Sequence, residues 1–140
     1  MTGIVILGVA LVVAVGFGLF RRATDGQFEP DAVSETWAHV SAALPREFLG
    51  GRATLVQFSS AFCAPCRTTR VVLADVAERE DGVRHLEIDA EKHLDLVRAL
   101  DVRRTPTTLV LDSRGHEVAR AAGAPHRAQV LAALPTGVAS

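Results

Sequence analysis

Cys63 and Cys66 are the only two cysteines of the chain, and they stand three positions apart in Phe62-Cys63-Ala64-Pro65-Cys66-Arg67. Two thiols with two residues between them can close a disulfide within one helical turn or open to a dithiol, and so exchange two electrons with another disulfide. A single pair does not staple a small secreted fold, which needs several bridges. Nor does it complete a structural zinc site, which needs about four ligands. The five histidines, His39, His85, His93, His116 and His126, show no ligand spacing that would supply the rest, so neither a metal nor a bound cofactor is expected. Cys66 is followed by Arg67 rather than His, which excludes c-type haem attachment by pattern.

What such a pair does depends on the elements that hold it. Thr54 to Phe58 is a short apolar and β-branched run, read as a buried strand, and Arg67 to Glu80 has helical spacing with Thr69, Leu73, Val76 and Ala77 on one side. The motif therefore falls between a strand and the start of a helix. There the unpaired backbone N–H groups and the macrodipole favour negative charge, so Cys63 is the expected thiolate nucleophile. Such surroundings lower a cysteine pKa from about 8.5 to between about 3.5 and 7.5. Cys66, one turn on and less exposed, is placed to resolve a mixed disulfide by attacking Cys63. Pro65 removes an amide donor and stiffens the turn, and Arg67 is read as solvated surface. The competing reading, two inert buried cysteines, is weakened by their clustering at a strand-to-helix junction.

The remaining elements follow from pattern. Ser34 caps a helix through Trp37, Val40 and Leu44 that ends before Pro45, and Gly50-Gly51 marks a turn. Gly82 closes the long helix; Val83 to Ile88 is a second strand. Lys92 to Leu100 reads as a helix with Leu94, Val97 and Leu100 on one face and Leu96 beside it. Thr107 to Leu111 and His116 to Ala121 form a hairpin across Asp112-Ser113-Arg114-Gly115. Pro125 starts a last helix packed by Val130, Leu131 and Leu134 and stopped by Pro135 and Gly137. This alternation predicts an α/β fold with a mixed central sheet flanked by helices. Proline belongs at a strand start, so Thr105-Pro106 introduces the third strand. A cis bond there would present the Thr105 backbone near the thiols, where an extended substrate could pair with it. On sequence alone trans is the commoner form.

The chain has 140 residues, 49% of them hydrophobic and 22% charged, with a formal net charge of -1. That is one domain plus a short appendage. Neither a basic surface nor aromatic platforms recommend a nucleic-acid partner. The appendage is N-terminal: Met1 to Phe20 carries no charged side chain, and Arg21-Arg22 follows it. Eighteen residues of helix span roughly 27 Å, enough for a hydrocarbon core. A cleaved signal peptide would put positive charge before the run and small residues after it, and a twin-arginine signal would put the pair ahead of it. A retained anchor is therefore expected, contacting the membrane through residues 4–20. The flanking arginines predict a cytoplasmic domain. The expected organisation is a transmembrane anchor at 1–22, a polar linker at 23–33 broken by Gly26 and Pro30, and a folded domain at 34–140.

The segment from Thr54 to Gly123 resembles the thioredoxin family. The resemblance rests on the apolar strand leading to Phe62-Cys63-Ala64-Pro65-Cys66, on Ile88-Asp89, on Thr105-Pro106-Thr107 placed 43 positions after Cys63, and on Gly123 after the hairpin. It implies a thioredoxin-like fold and dithiol–disulfide exchange at Cys63 and Cys66. It also implies a cis Pro106 beside Cys63, and substrate contacts from Phe62, Thr105 and Pro106. The implied partners are protein disulfide substrates and an upstream thiol reductant. There are departures. Phe62 and Ala64 replace the family's usual Trp and Gly. Gln57 stands where the family commonly buries an Asp beneath the thiols, and His85 where that Asp has a Lys partner. His85 and Gln57 are thus the proton-shuttle candidates, His85 because it titrates near neutrality. The family's N-terminal strand is not evident. The expected function is a thioredoxin-like protein-disulfide reductase. The alternative is a membrane-tethered module that binds or senses with little turnover.

Overall fold

The computed structural model describes residues 1–24 and 34–136, as two separate units. The first is a single helix, α1 (Thr2–Thr24). Its stretch Thr2–Phe20 has a mean hydropathy of 2.7 and is buried nowhere. Length and composition are those of a membrane span, and a signal sequence near an N-terminus shares them. The helix runs two residues past the expected anchor boundary; the rest of the expected linker, with Gly26 and Pro30, lies outside the described residues.

The second unit contains α2 (Glu35–Ala43), β1 (Ala53–Ser59), α3 (Ala64–Arg79), β2 (Val83–Asp89), α4 (Leu94–Ala99), β3 (Thr107–Asp112), β4 (Glu117–Ala122) and α5 (Arg127–Ala133). The four strands make one mixed sheet in the order β2-β1-β3-β4, with β1 parallel to β2 and the other pairs antiparallel. All seven residues of β1 are buried, as befits a central strand covered on both faces. On one face Val56 and Phe58 pack with Val40 of α2, Leu86 and Ile88 of β2, Leu96 of α4 and Leu109 of β3. On the other, Ala53 and Leu55 pack with Leu73 and Val76 of α3, Val110 of β3 and Val130 of α5. Among the described residues no strand precedes β1, so β2 is a sheet edge.

Every expected element is present, but several boundaries differ for identifiable reasons. Helix α3 begins at Ala64, not Arg67, because Ala64 and Pro65 occupy the first helical positions, where a missing N–H is harmless. Its C-cap is Glu80. Gly82 lies two residues beyond, at φ +73, and its carbonyl accepts from the Arg52 and Ala53 amides. Helix α4 is shorter than Lys92 to Leu100. The Asp89 carboxylate accepts from the Glu91 amide and the Asp89 carbonyl from that of Lys92, a local turn that competes with helix. Leu94 is consequently 53% exposed, and the core face is Leu96 and Leu100 with Val97 beside them. His116 closes the hairpin through the Asp112 carboxylate and leaves β4 to start at Glu117. Pro125 stands one residue before the N-cap His126, not inside the last helix. The stop expected from Gly137 lies outside the described residues. Gly50 is required by close approach: a Cβ there would collide with the Ala53 carbonyl oxygen and sit 2.7 Å from that of Gly82, both backbone atoms that cannot yield.

Candidate active site

Strand β1 delivers the chain through Ser60, Ala61 and Phe62 to Cys63, which is the N-cap of α3 with extended backbone angles (φ -126°, ψ 95°). Cys66 occupies the third helical position, and its amide donates to the Cys63 carbonyl at 3.2 Å. The two are joined as a disulfide, S–S 1.98 Å with Cα atoms 5.2 Å apart. The protein is therefore seen in its oxidised form. Their environments differ: Cys63 is half-buried at the surface, whereas Cys66 is 1% exposed. Phe62, immediately before them, is fully exposed, and Arg67 behind them is exposed as expected.

The Thr105–Pro106 peptide is cis, the form the family resemblance implied and composition alone disfavoured. Pro106 is buried, and Thr105 is half-buried. Two contacts fix this segment. The Ser60 and Thr105 hydroxyls share a hydrogen bond of 2.8 Å, which ties the loop ahead of Cys63 to the entry of β3. The Pro106 carbonyl accepts from the Gly123 amide at 2.8 Å. Sequence reasoning misses Ser60, since nothing in its spacing marks a hydroxyl that pairs across 45 positions.

Beneath the disulfide lies a polar chain. Gln57 is completely buried and its amide nitrogen donates to the Ser59 hydroxyl and to the Cys66 carbonyl, both at 2.9 Å. A carbonyl can only accept, so the amide orientation is settled, and Gln57 Oε1 faces His85 Nε2 at 2.9 Å. His85 must then carry its proton on Nε2, leaving Nδ1 as its basic nitrogen. The chain ends on the carbonyl oxygen of Cys66 rather than on its sulfur. Two positions along β2, Glu87 forms a bidentate pair with Arg70 of α3, at 2.6 and 2.7 Å. That bond holds the Glu87 carboxyl below its usual range and raises Arg70. His85 is pushed below the ordinary imidazole value of 6.5, chiefly by burial; Glu87 opposes the shift and Arg70 adds to it. Among the described residues no group of three or more His, Cys, Asp or Glu side chains is arranged to hold a metal.

The lowered His85 value has a consequence for stability. The unfolded chain takes up the proton first, so the contribution of neutral His85 is present above pH 6.5 and lost as pH falls through the lower folded value. Urea midpoints of the wild type are expected to drop between pH 7.5 and pH 5 more than those of His85→Gln, whose amide can still donate to Gln57. Parallel declines in the two proteins would show that His85 does not titrate in this way.

A model of the thioredoxin family matches residues 40–136. Thioredoxin H4-1 of Oryza sativa subsp. japonica is 31% identical over 90 residues, covering 64% of this chain and 66% of that protein. A thioredoxin of Pongo abelii is 27% identical over 75 residues, covering 54% of this chain and 71% of the relative. The chain spans between about two fifths and just under two thirds of the length of the plant thioredoxins it matches. Among solved structures, a point-mutant thioredoxin from Halobacterium salinarum superposes with a TM-score of 0.55 at 23% identity, covering 60% of this chain and 73% of that one. Thioredoxin f from spinach chloroplast gives 0.54 at 23% identity, covering 69% and 81%. At these identities the structural likeness speaks for the fold alone.

Proposed function

The chain belongs to the thioredoxin family, and from that premise we propose that it is a thiol–disulfide oxidoreductase that reduces protein disulfides through Cys63 and Cys66. One observation carries the reading. The two sulfurs bridge the first turn of α3 with Cys63 accessible and Cys66 sealed, and the loop ahead of Cys63 is bonded to the cis Thr105–Pro106 segment.

In the reduced protein the Cys63 thiolate attacks one sulfur of the substrate disulfide. A Cys63–substrate bond forms and the other substrate sulfur leaves as thiolate. Cys66, deprotonated, then attacks the Cys63 sulfur, closes the Cys63–Cys66 bond and expels the second substrate thiolate. Two electrons pass from the dithiol to the substrate, and an external thiol reductant returns them. Exposed Phe62 offers apolar contact, and the Thr105 backbone with Pro106 offers an edge on which an extended substrate lies. His85 and Gln57 act on the second step. Because Gln57 does not ionise, its part is to hold the Cys66 backbone, while His85, the ionisable member of the pair, fixes Gln57 through Nε2.

Residues 1–22 are assigned as an anchor that meets the membrane through residues 4–20, residues 23–33 as its linker, and residues 34–140 as the catalytic domain. Arg21 and Arg22 favour the cytoplasmic side for that domain, where reduction is the natural direction. A C-terminal reporter active in only one compartment tests the orientation. For the activity, the test is insulin reduction by a catalytic amount of the chain with excess dithiothreitol. The expected result is a rate well above that of dithiothreitol alone. An unchanged rate would favour the second reading, a tethered binding or redox-sensing module, whose support is the non-ionisable Gln57 beneath Cys66.

A further inference from the structure

A polar cleft of about 460 Å³ opens beside the redox motif, lined by Ser59, Ser60, Arg67, Arg70, Glu87 and Asp89. Its floor is the loop that leads into Cys63, and its rim is the residue that follows Cys66. Its lining holds two guanidiniums and two carboxylates, which are not engaged alike. Both Glu87 oxygens are committed to Arg70. Asp89 accepts from the Glu91 amide through one oxygen and lies 3.8 Å from Lys92 with the other. Ser59 is engaged by Gln57 and Ser60 by Thr105. Among the described residues, no hydrogen bond or ion pair engages the Arg67 guanidinium. The cleft thus presents one guanidinium that has no bonded partner among the described residues, within four positions of both sulfurs. Its volume exceeds what a lone carboxylate with its water requires.

We propose that this cleft receives a carboxylate carried by the substrate next to its disulfide, with Arg67 as a specificity-determining residue. The inference rests on the oxidoreductase reading and names the substrate class it prefers: disulfides flanked by negative charge. The carboxylate has two sources, an acidic side chain in a protein or the carboxylate of a small disulfide. The guanidinium fork suits either, and the ion pair forms before sulfur attack, so it acts on capture of the oxidised substrate and leaves the electron transfer itself unaltered.

The test uses the reduced full chain in detergent with matched disulfides. One pair is a cystine peptide with Asp or Asn beside the half-cystine; the other is dithiodipropionate against hydroxyethyl disulfide. The readout is the ratio of kcat/KM for the charged over the neutral member. Both members meet the same Cys63, so any change in its thiolate population cancels. A partly exposed ion pair predicts a ratio of roughly five at low salt, shrinking towards one at about 0.5 M salt. Arg67→Glu brings the ratio to one or below, and Arg67→Lys keeps part of it. Preference in the peptide pair identifies an acidic protein substrate, and preference in the small pair alone identifies a small anionic disulfide; both support the assignment. A wild-type ratio of one in both pairs, or a preference that survives Arg67→Glu, overturns it while leaving the oxidoreductase reading intact. Absence of turnover on the neutral members as well would remove that reading and this inference together.

Discussion

Replacing Cys63 by serine is expected to lower disulfide turnover by a factor of about a thousand or more, because the hydroxyl that remains is not a nucleophile towards sulfur at neutral pH. Cys66→Ser fails differently. Cys63 still attacks, but the bond it makes has no internal partner to displace it, so one equivalent of substrate accumulates as a mixed disulfide. The asymmetry follows from burial. Cys63 is open to a macromolecular substrate, while Cys66, 1% exposed, can be reached only by its neighbour one helical turn away. Proximity of that order replaces a bimolecular step by an internal one. Intact-protein mass after mixing with an oxidised substrate separates the outcomes: an adduct in Cys66→Ser and none in Cys63→Ser. Equal adducts in both would mean that the two sulfurs are interchangeable.

The largest expected effect on stability is that of Phe58→Ala. Phe58 is completely buried in β1, opposite Ile88 of β2 and Thr107 of β3, inside the cluster shared with α2 and α4. Truncating a buried phenylalanine costs about 3–5 kcal/mol, a large part of the roughly 5–15 kcal/mol that holds a domain together. Since Ser59 to Cys63 hang directly from Phe58, the same substitution should loosen the redox loop, and residual activity should fall more steeply with temperature than in the wild type. Urea unfolding measures the first effect. A loss under about 1 kcal/mol would mean that β1 is not the centre of the core.

Much of this arrangement can be read in the chain itself, and the reasons are local. A strand buried on both faces has to be apolar throughout, so Thr54 to Phe58 declares itself. A helix with Pro65 in its first turn that ends short of a glycine marks its ends in the sequence to within three residues. The position of Cys63 and Cys66 follows from those two elements. What local pattern leaves open depends on long-range pairing, and only the family resemblance points to part of it, the Gln57–His85 pair and the cis Pro106. His85 reaches Gln57 only because β1 and β2 run parallel with Leu55 opposite His85, which places His85 diagonally across from Gln57 on the α3 face. Ser60 meets Thr105 only after β1 and β3 have paired. The cis peptide before Pro106 is a minority form that no neighbouring residue type announces. Pattern starts helix α4 two residues early, at Lys92, because the Asp89 turn, a side-chain effect, sets where the helix begins.

The proposed exchange requires Cys63 to be the sulfur that ionises at the head of α3. Its most direct test is the pH dependence of alkylation of the reduced full chain by iodoacetamide, with the modified cysteine identified by peptide mass. Modification confined to Cys63, rising through a midpoint well below the value of about 8.5 for an ordinary thiol, is the predicted result. Modification of Cys66 first, or a midpoint at or above that value, would contradict it.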